Sequence, residues 1–225
     1  MDIQGIITYI MEMLGTIAFA ASGAMVGIRK RMDIFGVCVL GFVTAVGGGM
    51  VRDIILGITP PNVFRNTDYA LVAVTTSLIV FAVVYVKRDV MDGKFKVIYD
   101  KSMLVMDTIG LAIFTVVGVN IGIQQGYLEK IFLLTFVGTI TGVGGGLMRD
   151  VMAGEKPYIF VKHIYASASV VGSIVCVYMY RAFGTVVSMV VSSTVILVIR
   201  YLAARYHWNL PHIDFEEEKH SAWKE

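Results

Sequence analysis

Residues 45 to 57 read "AVGGGMVRDIILG": three consecutive glycines, then an arginine and an aspartate, with apolar residues on both sides. The rest of the chain makes that stretch unusual. Of its 225 residues 56% are hydrophobic and only 16% charged, against roughly 25% charged in soluble domains, and the mean hydropathy is +0.74. Nearly uncharged runs cover 6–28, 34–58, 69–86, 102–123, 131–154, 164–180 and 182–199. Most approach the roughly 20 residues that carry a helix across a bilayer. The composition therefore predicts an all-α membrane protein with seven transmembrane helices, and the glycine motif falls inside the second.

Composition also removes several function classes. The first run contains "AFAAS" at 18–22, an A-x-A pattern of the kind found at signal-peptide cleavage sites, but no Lys or Arg precedes Arg29, and Asp2 and Glu12 stand where a basic leader belongs. That run is read as a retained span. Cys38 and Cys176 lie in apolar runs, where a free cysteine behaves as a small hydrophobe. The tail histidines His207, His212 and His220 lack ligand spacing, so no metal site or cofactor is expected. A net charge of +2 is too small to imply a nucleic-acid partner.

The basic residues instead report orientation. One set of loops carries Arg29, Lys30, Arg31, Lys87, Arg88, Lys94, Lys96, Lys101, Lys156, Lys162, Arg200 and Arg205, whereas the opposite set has Arg65, Lys130 and Arg181. The positive-inside rule then places the N-terminus outside and the C-terminus in the cytoplasm, consistent with an odd number of spans. The polar residues 206–225 form a short cytoplasmic tail.

The motif has a twin. "GVGGGLMRDVMAG" begins at Gly142, so that Gly47, Gly48, Gly49, Arg52, Asp53 and Gly57 are matched 97 positions later by Gly144, Gly145, Gly146, Arg149, Asp150 and Gly154. Upstream, "EMLGTIAFAASGAMVG" from Glu12 aligns with "DTIGLAIFTVVGVNIG" from Asp107, and Pro60 is matched by Pro157. Residues 1–86 and 102–180 are thus two three-helix repeats, joined by a charged cytoplasmic linker at 87–101 and followed by an unpartnered seventh helix at 181–205. Because three is odd, the second repeat enters the membrane from the opposite side, an inverted arrangement common among transporters and channels, whose sites lie near the midplane between repeats.

Three glycines weaken a helix by on the order of 3 kcal/mol. Close helix packing through small residues is one reason to keep them. Since consecutive glycines point to every face of a helix, a local break near mid-membrane is the expectation preferred here, tolerated where protein or a water-filled cavity covers the freed backbone. Counted along the spans, Arg52 lies roughly 9 Å inside the outer end of the second span, level with Glu12 in the first. Arg149 and Asp107 are level with each other near the cytoplasmic side. Two pairs are therefore expected, Glu12 with Arg52 and Asp107 with Arg149, against the alternative that long arginines only snorkel to the headgroups. Ionisable residues inside spans are functional candidates by default. Asp53 and Asp150, directly after the arginines, cap or pair elsewhere, and the excess of acids in each repeat favours cations.

"GGMVRDIILG" resembles the signature of CCA-adding nucleotidyltransferases, but those are soluble and add a downstream metal-binding D-x-D that this chain lacks. With no Ser, His and Asp set or metal cluster at matched depth, and His163 reading as an interfacial residue, an enzyme is not expected. The doubled G-G-G-x-x-R-D and the three-plus-three-plus-one layout resemble the prokaryotic TRIC family, the trimeric intracellular cation channels, across roughly residues 6–206. That resemblance implies a homotrimer in the prokaryotic inner membrane with a pore in each subunit, kinked at the glycine triples and lined or flanked by Arg52, Arg149 and their neighbouring acids. It also implies K⁺ as chief permeant, with Na⁺ as a second candidate and membrane lipid as surroundings. The family also carries a label as glycine transporters, so a secondary transporter of a small zwitterion is the alternative.

Overall fold

The computed structural model describes residues 3–91, 95–161, 164–206 and 208. Lys94, Lys162, His163 and the tail histidines lie outside them. The described residues form eight helices and no strand: α1 (Ile3–Arg29), α2 (Ile34–Ile55), α3 (Asn62–Arg65), α4 (Asp68–Met91), α5 (Phe95–Gln124), α6 (Ile131–Met152), α7 (Tyr158–Val161) and α8 (Ala166–Tyr206). Six of them are long and apolar enough to cross a membrane.

Local chemistry sets the boundaries. Asp33 starts α2 by accepting the Gly36 N–H at 2.7 Å, the side-chain cap that an unpaired first turn needs. The last glycine of each motif ends its helix: Gly57 and Gly154 have φ of 71° and 66°, and the next N–H, of Ile58 and Glu155, returns to the carbonyls of Asp53 and Asp150 at 2.8 and 2.9 Å. This is the Schellman closure, in which glycine takes the left-handed position without Cβ strain. It stops α2 and α6 a few residues short of the apolar runs that announced them. The linker departs from expectation too, since α4 runs on to Met91 and α5 already begins at Phe95, which makes most of 87–101 helical.

The boundary expected at residues 180–182 falls at Gly184, whose φ of 76° and ψ of −173° interrupt α8. As one straight helix, 41 residues would span about 60 Å, twice a bilayer core. Instead the chain folds back on itself. A Cβ on Gly172 would overlap the side chain of Ile196, and these residues lie equally far before and after Gly184.

The packing repeats as the sequence does. Helix α1 packs on α2 and α4, and α2 on α4; correspondingly, α5 packs on α6 and α8, and α6 on α8. Across the middle, like meets like, α1 against α5 and α2 against α6. The matched Phe19 and Phe114 rings pack there in a tilted arrangement with centroids 5.2 Å apart. Each lies over the other repeat's glycine, for a Cβ on Gly110 would overlap Phe19 and one on Gly15 would come within 3.1 Å of Phe114.

At the second crossing the expectation of a break is corrected. Helices α2 and α6 run unbroken through both glycine triples. All of the triple glycines but Gly49 have a close neighbour outside their own helix instead. A Cβ on Gly48 would overlap the Thr141 carbonyl oxygen, and one on Gly145 the Thr44 carbonyl oxygen, while one on Gly144 would stand 3.1 Å from Gly48 Cα. Gly47 faces Met148, where a Cβ would lie 2.5 Å from the sulfur. The backbones touch, and the helix-propensity cost is offset by contact that no larger residue permits.

Gly48→Ala should accordingly lower stability by about 1–3 kcal/mol, because overpacking against backbone exceeds the propensity gain. Gly49→Ala, where the nearest atom to the new Cβ is Arg52 Nη2 at 3.7 Å, should be neutral or stabilise by up to about 1 kcal/mol. Thermal unfolding of both variants in detergent checks the contrast, and equal effects would count against the close crossing.

Candidate functional site

One turn beyond the crossing, α2 carries Arg52 and Asp53, and α6 carries Arg149 and Asp150. All four are buried. In each repeat the guanidinium turns onto the next residue's carboxylate, with Arg52 Nε and Nη2 both 2.8 Å from Asp53 Oδ1 and Arg149 Nε and Nη2 both 2.8 Å from Asp150 Oδ1. The other carboxylate oxygen holds the loop that follows. Asp53 Oδ2 accepts the Asn62 backbone N–H at 2.7 Å, and Asp150 Oδ2 accepts that of Tyr158 at 2.8 Å, so each aspartate fixes the start of a short helix, α3 or α7. Asp53 and Asp150 thus cap, as one alternative has it, but their ionic partner is the adjacent arginine rather than a group elsewhere.

The clasp leaves one face of each arginine free. In the second repeat, Arg149 Nη1 donates to Asp107 Oδ1 at 2.7 Å and to Ser22 Oγ of α1 at 2.5 Å. The side chains of both Arg149 and Asp107 are 0% exposed. The expected pair exists, and it is sealed rather than snorkelled. Tyr165 Oη lies 3.4 Å from the same Asp107 oxygen. A Cβ on Gly146 would come within 2.9 Å of that tyrosine oxygen, so the third glycine of the triple makes room for the cluster.

The first repeat is arranged alike but is not sealed. Glu12 takes its hydrogen bond from Tyr69 Oη of α4, not from Arg52. Glu12 and Arg52 face a shared cavity of about 40 Å³, also lined by Thr16, Gly49, Asp53 and Asn62, which has room for a few waters. A direct Glu12–Arg52 ion pair is therefore replaced by two charges across a small cavity, because Asp53 already engages the guanidinium and Tyr69 the carboxylate.

Several residues of these clusters escaped the sequence reading. Tyr69 and Tyr165 were legible in principle, since they stand 96 positions apart at the starts of matched apolar runs. Ser22 and Asn62 gave no signal. Arg200 counted as a loop charge, yet its side chain is 4% exposed, with Nη2 4.0 Å from Asp107 Oδ2 and its guanidinium 4.9 Å above the Tyr165 ring.

Comparison with known proteins places this architecture. A family model described as "Glycine transporter" matches residues 9–85 and 104–181. The UPF0126 inner membrane protein YadS of Escherichia coli strain K12 is 38% identical over 216 residues, covering 94% of this chain and 98% of that protein. Among solved structures, one described as the structural basis for conductance through TRIC cation channels is 34% identical, covers 92% of this chain and 97% of its own, and superposes with a TM-score of 0.78. The chain belongs to the TRIC family. A prokaryotic TRIC channel crystallised in 0.5 M KCl superposes with a TM-score of 0.81 at 30% identity, over 91% of this chain and 99% of that one. With its apolar helices and relatives named as membrane proteins, this TRIC-family chain is an integral membrane protein.

The two clusters should respond differently to loss of their acids. Asp107→Asn leaves a buried arginine without a main partner and should cost about 3–5 kcal/mol. Glu12→Gln, which keeps a hydrogen bond to Tyr69 beside a cavity large enough for water, should cost about 1 kcal/mol. Unfolding midpoints of the two purified variants test the ordering, and a larger loss for Glu12→Gln would contradict it.

Proposed function

We propose that the protein is a monovalent cation channel with K⁺ as chief permeant and Na⁺ as a second, conducting through each subunit between two inverted three-helix repeats. The observation that carries the reading is likeness over nearly the whole chain, at 34% identity, to a TRIC cation channel. The first cluster, in which Glu12 and Asp53 outnumber Arg52, supports it, since low-dielectric walls focus the field of an uncompensated carboxylate on passing cations. In this reading the fold-back at Gly184 makes α8 two spans, for seven in all. The N-terminus faces outward and the C-terminus the cytoplasm, in the inner membrane of a prokaryote, where lipid surrounds a homotrimer. The path runs from the Glu12, Arg52 and Asp53 cluster to the Asp107, Arg149 and Asp150 cluster. The crossing held by Gly48, Gly144 and Gly145 stands between them.

A second reading has its own support in the family model's description as a glycine transporter and in the cavity that sets a carboxylate opposite a guanidinium. Those two charges match the ammonium and carboxylate of a small zwitterion. Planar-bilayer recordings of the purified protein under a K⁺ gradient separate the two. A channel gives unitary currents that glycine does not saturate or block. Silent bilayers together with saturable glycine uptake into proteoliposomes would replace the first reading by the second.

A further inference from the structure

The two clusters match group for group until the last member. The first holds Glu12, Tyr69, Arg52 and Asp53, two carboxylates against one guanidinium. The second holds Asp107, Tyr165, Arg149 and Asp150 in the same roles, and then Arg200, contributed by the part of α8 that has no counterpart in the first repeat. That addition changes the formal charge from −1 to zero. It also accounts for two oddities of the inner cluster: Asp107 Oδ2 and Arg200 Nε are both buried and both lack a hydrogen-bond partner, although their groups approach to 4.0 Å.

We propose that Arg200 is a tethered counter-cation that occupies, at Asp107, the position a permeant cation takes at Glu12, and so sets the rate and direction of ion passage at the cytoplasmic end. The inference rests on the channel reading and adds to it the residue that makes the two ends unequal. A guanidinium held at 4.0 Å without a hydrogen bond to the carboxylate is a loose partner, unlike the 2.7 Å contact of Arg149, and a loose partner can be displaced. Its other contact, the Tyr165 ring, is the kind of face that holds a cation without fixing its orientation. Space for departure adjoins it. Arg200 also lines a groove of about 270 Å³ between α5 and α8, with Leu104, Thr108, Leu197 and Tyr201, along which a long cationic side chain can reach toward the headgroups while its stem stays in apolar surroundings.

Arg200→Gln removes the tethered charge and leaves the Arg149–Asp107–Asp150 core in place. In K⁺ bilayer recordings it should raise unitary conductance severalfold and alter the rectification of the current–voltage relation, whereas Arg200→Lys, which keeps a tethered cation, should stay close to wild type. Wild-type conductance and rectification in Arg200→Gln would overturn the assignment while leaving the channel intact. Absence of current from wild type and variants alike would remove the channel reading and this inference with it. Should Arg200→Gln not assemble, Arg200→Met, which also removes the charge but keeps a long apolar stem in the groove, should assemble and show the same rise in conductance. Failure of that protein to assemble would make Arg200 a structural prop and overturn the proposal.

Discussion

The backbones of α2 and α6 touch where Gly48 meets the Thr141 carbonyl and Gly145 meets the Thr44 carbonyl, and the polar chemistry of the molecule follows from that contact. In a helix, residues four apart share a face. Arg52 and Arg149 each stand four residues beyond a contact glycine, so the crossing directs two guanidinium groups into the protein, one turn to either side of it. A cation buried at such depth must be paired. The next residue in each motif, Asp53 or Asp150, supplies a carboxylate that the Schellman closure at Gly57 or Gly154 and the N–H of the following short helix hold in place. The thirteen-residue motif is thus one mechanical unit: close approach, buried cation, its anion, and a helix stop.

Duplicating the unit supplies most of the fold. Because the second copy meets the first along α2–α6 and α1–α5, small residues in one copy receive large ones from the other, as Gly110 receives Phe19 and Gly15 receives Phe114. Van der Waals fit of this kind drives helix association in lipid, where no hydrophobic gain separates helix–helix from helix–lipid contact. The ion pair of Arg29 and Lys30 with Glu155 adds a polar tie between the first repeat and the loop after α6.

The apolar helices, the duplication and the Asp107–Arg149 pair were legible because each depends on spacing, and spacing along a helix converts directly to height along its axis. The state of the glycine triples was not. Propensity measures what three glycines cost an isolated helix and is silent on a neighbouring backbone that only glycine admits, so the same letters fit a break and an intimate crossing equally well. Glu12 was placed at the right depth with the wrong first partner, since depth fixes height and not which of several polar groups at that height the side chain reaches. Arg200 was misassigned because it directly follows an apolar run that ends at Ile199, where a loop charge and a buried one look alike in sequence.

The burial of Arg200 bears on how a duplicated unit can acquire a direction. Under the channel reading, two copies of one unit in opposite orientations would present the same carboxylate–tyrosine–arginine arrangement to both sides, and a path so lined would have no preferred direction. Direction requires a difference. The exchange of Glu for Asp and the closure of one cavity are graded changes, but a whole charge contributed by a helix outside the repeat is not. Arg200 reaches Asp107 only because the chain turns back at Gly184 and lays the end of α8 against α5. The segment without a partner in the duplication is therefore the one through which the two ends of the molecule can acquire different electrostatics while the shared framework stays intact.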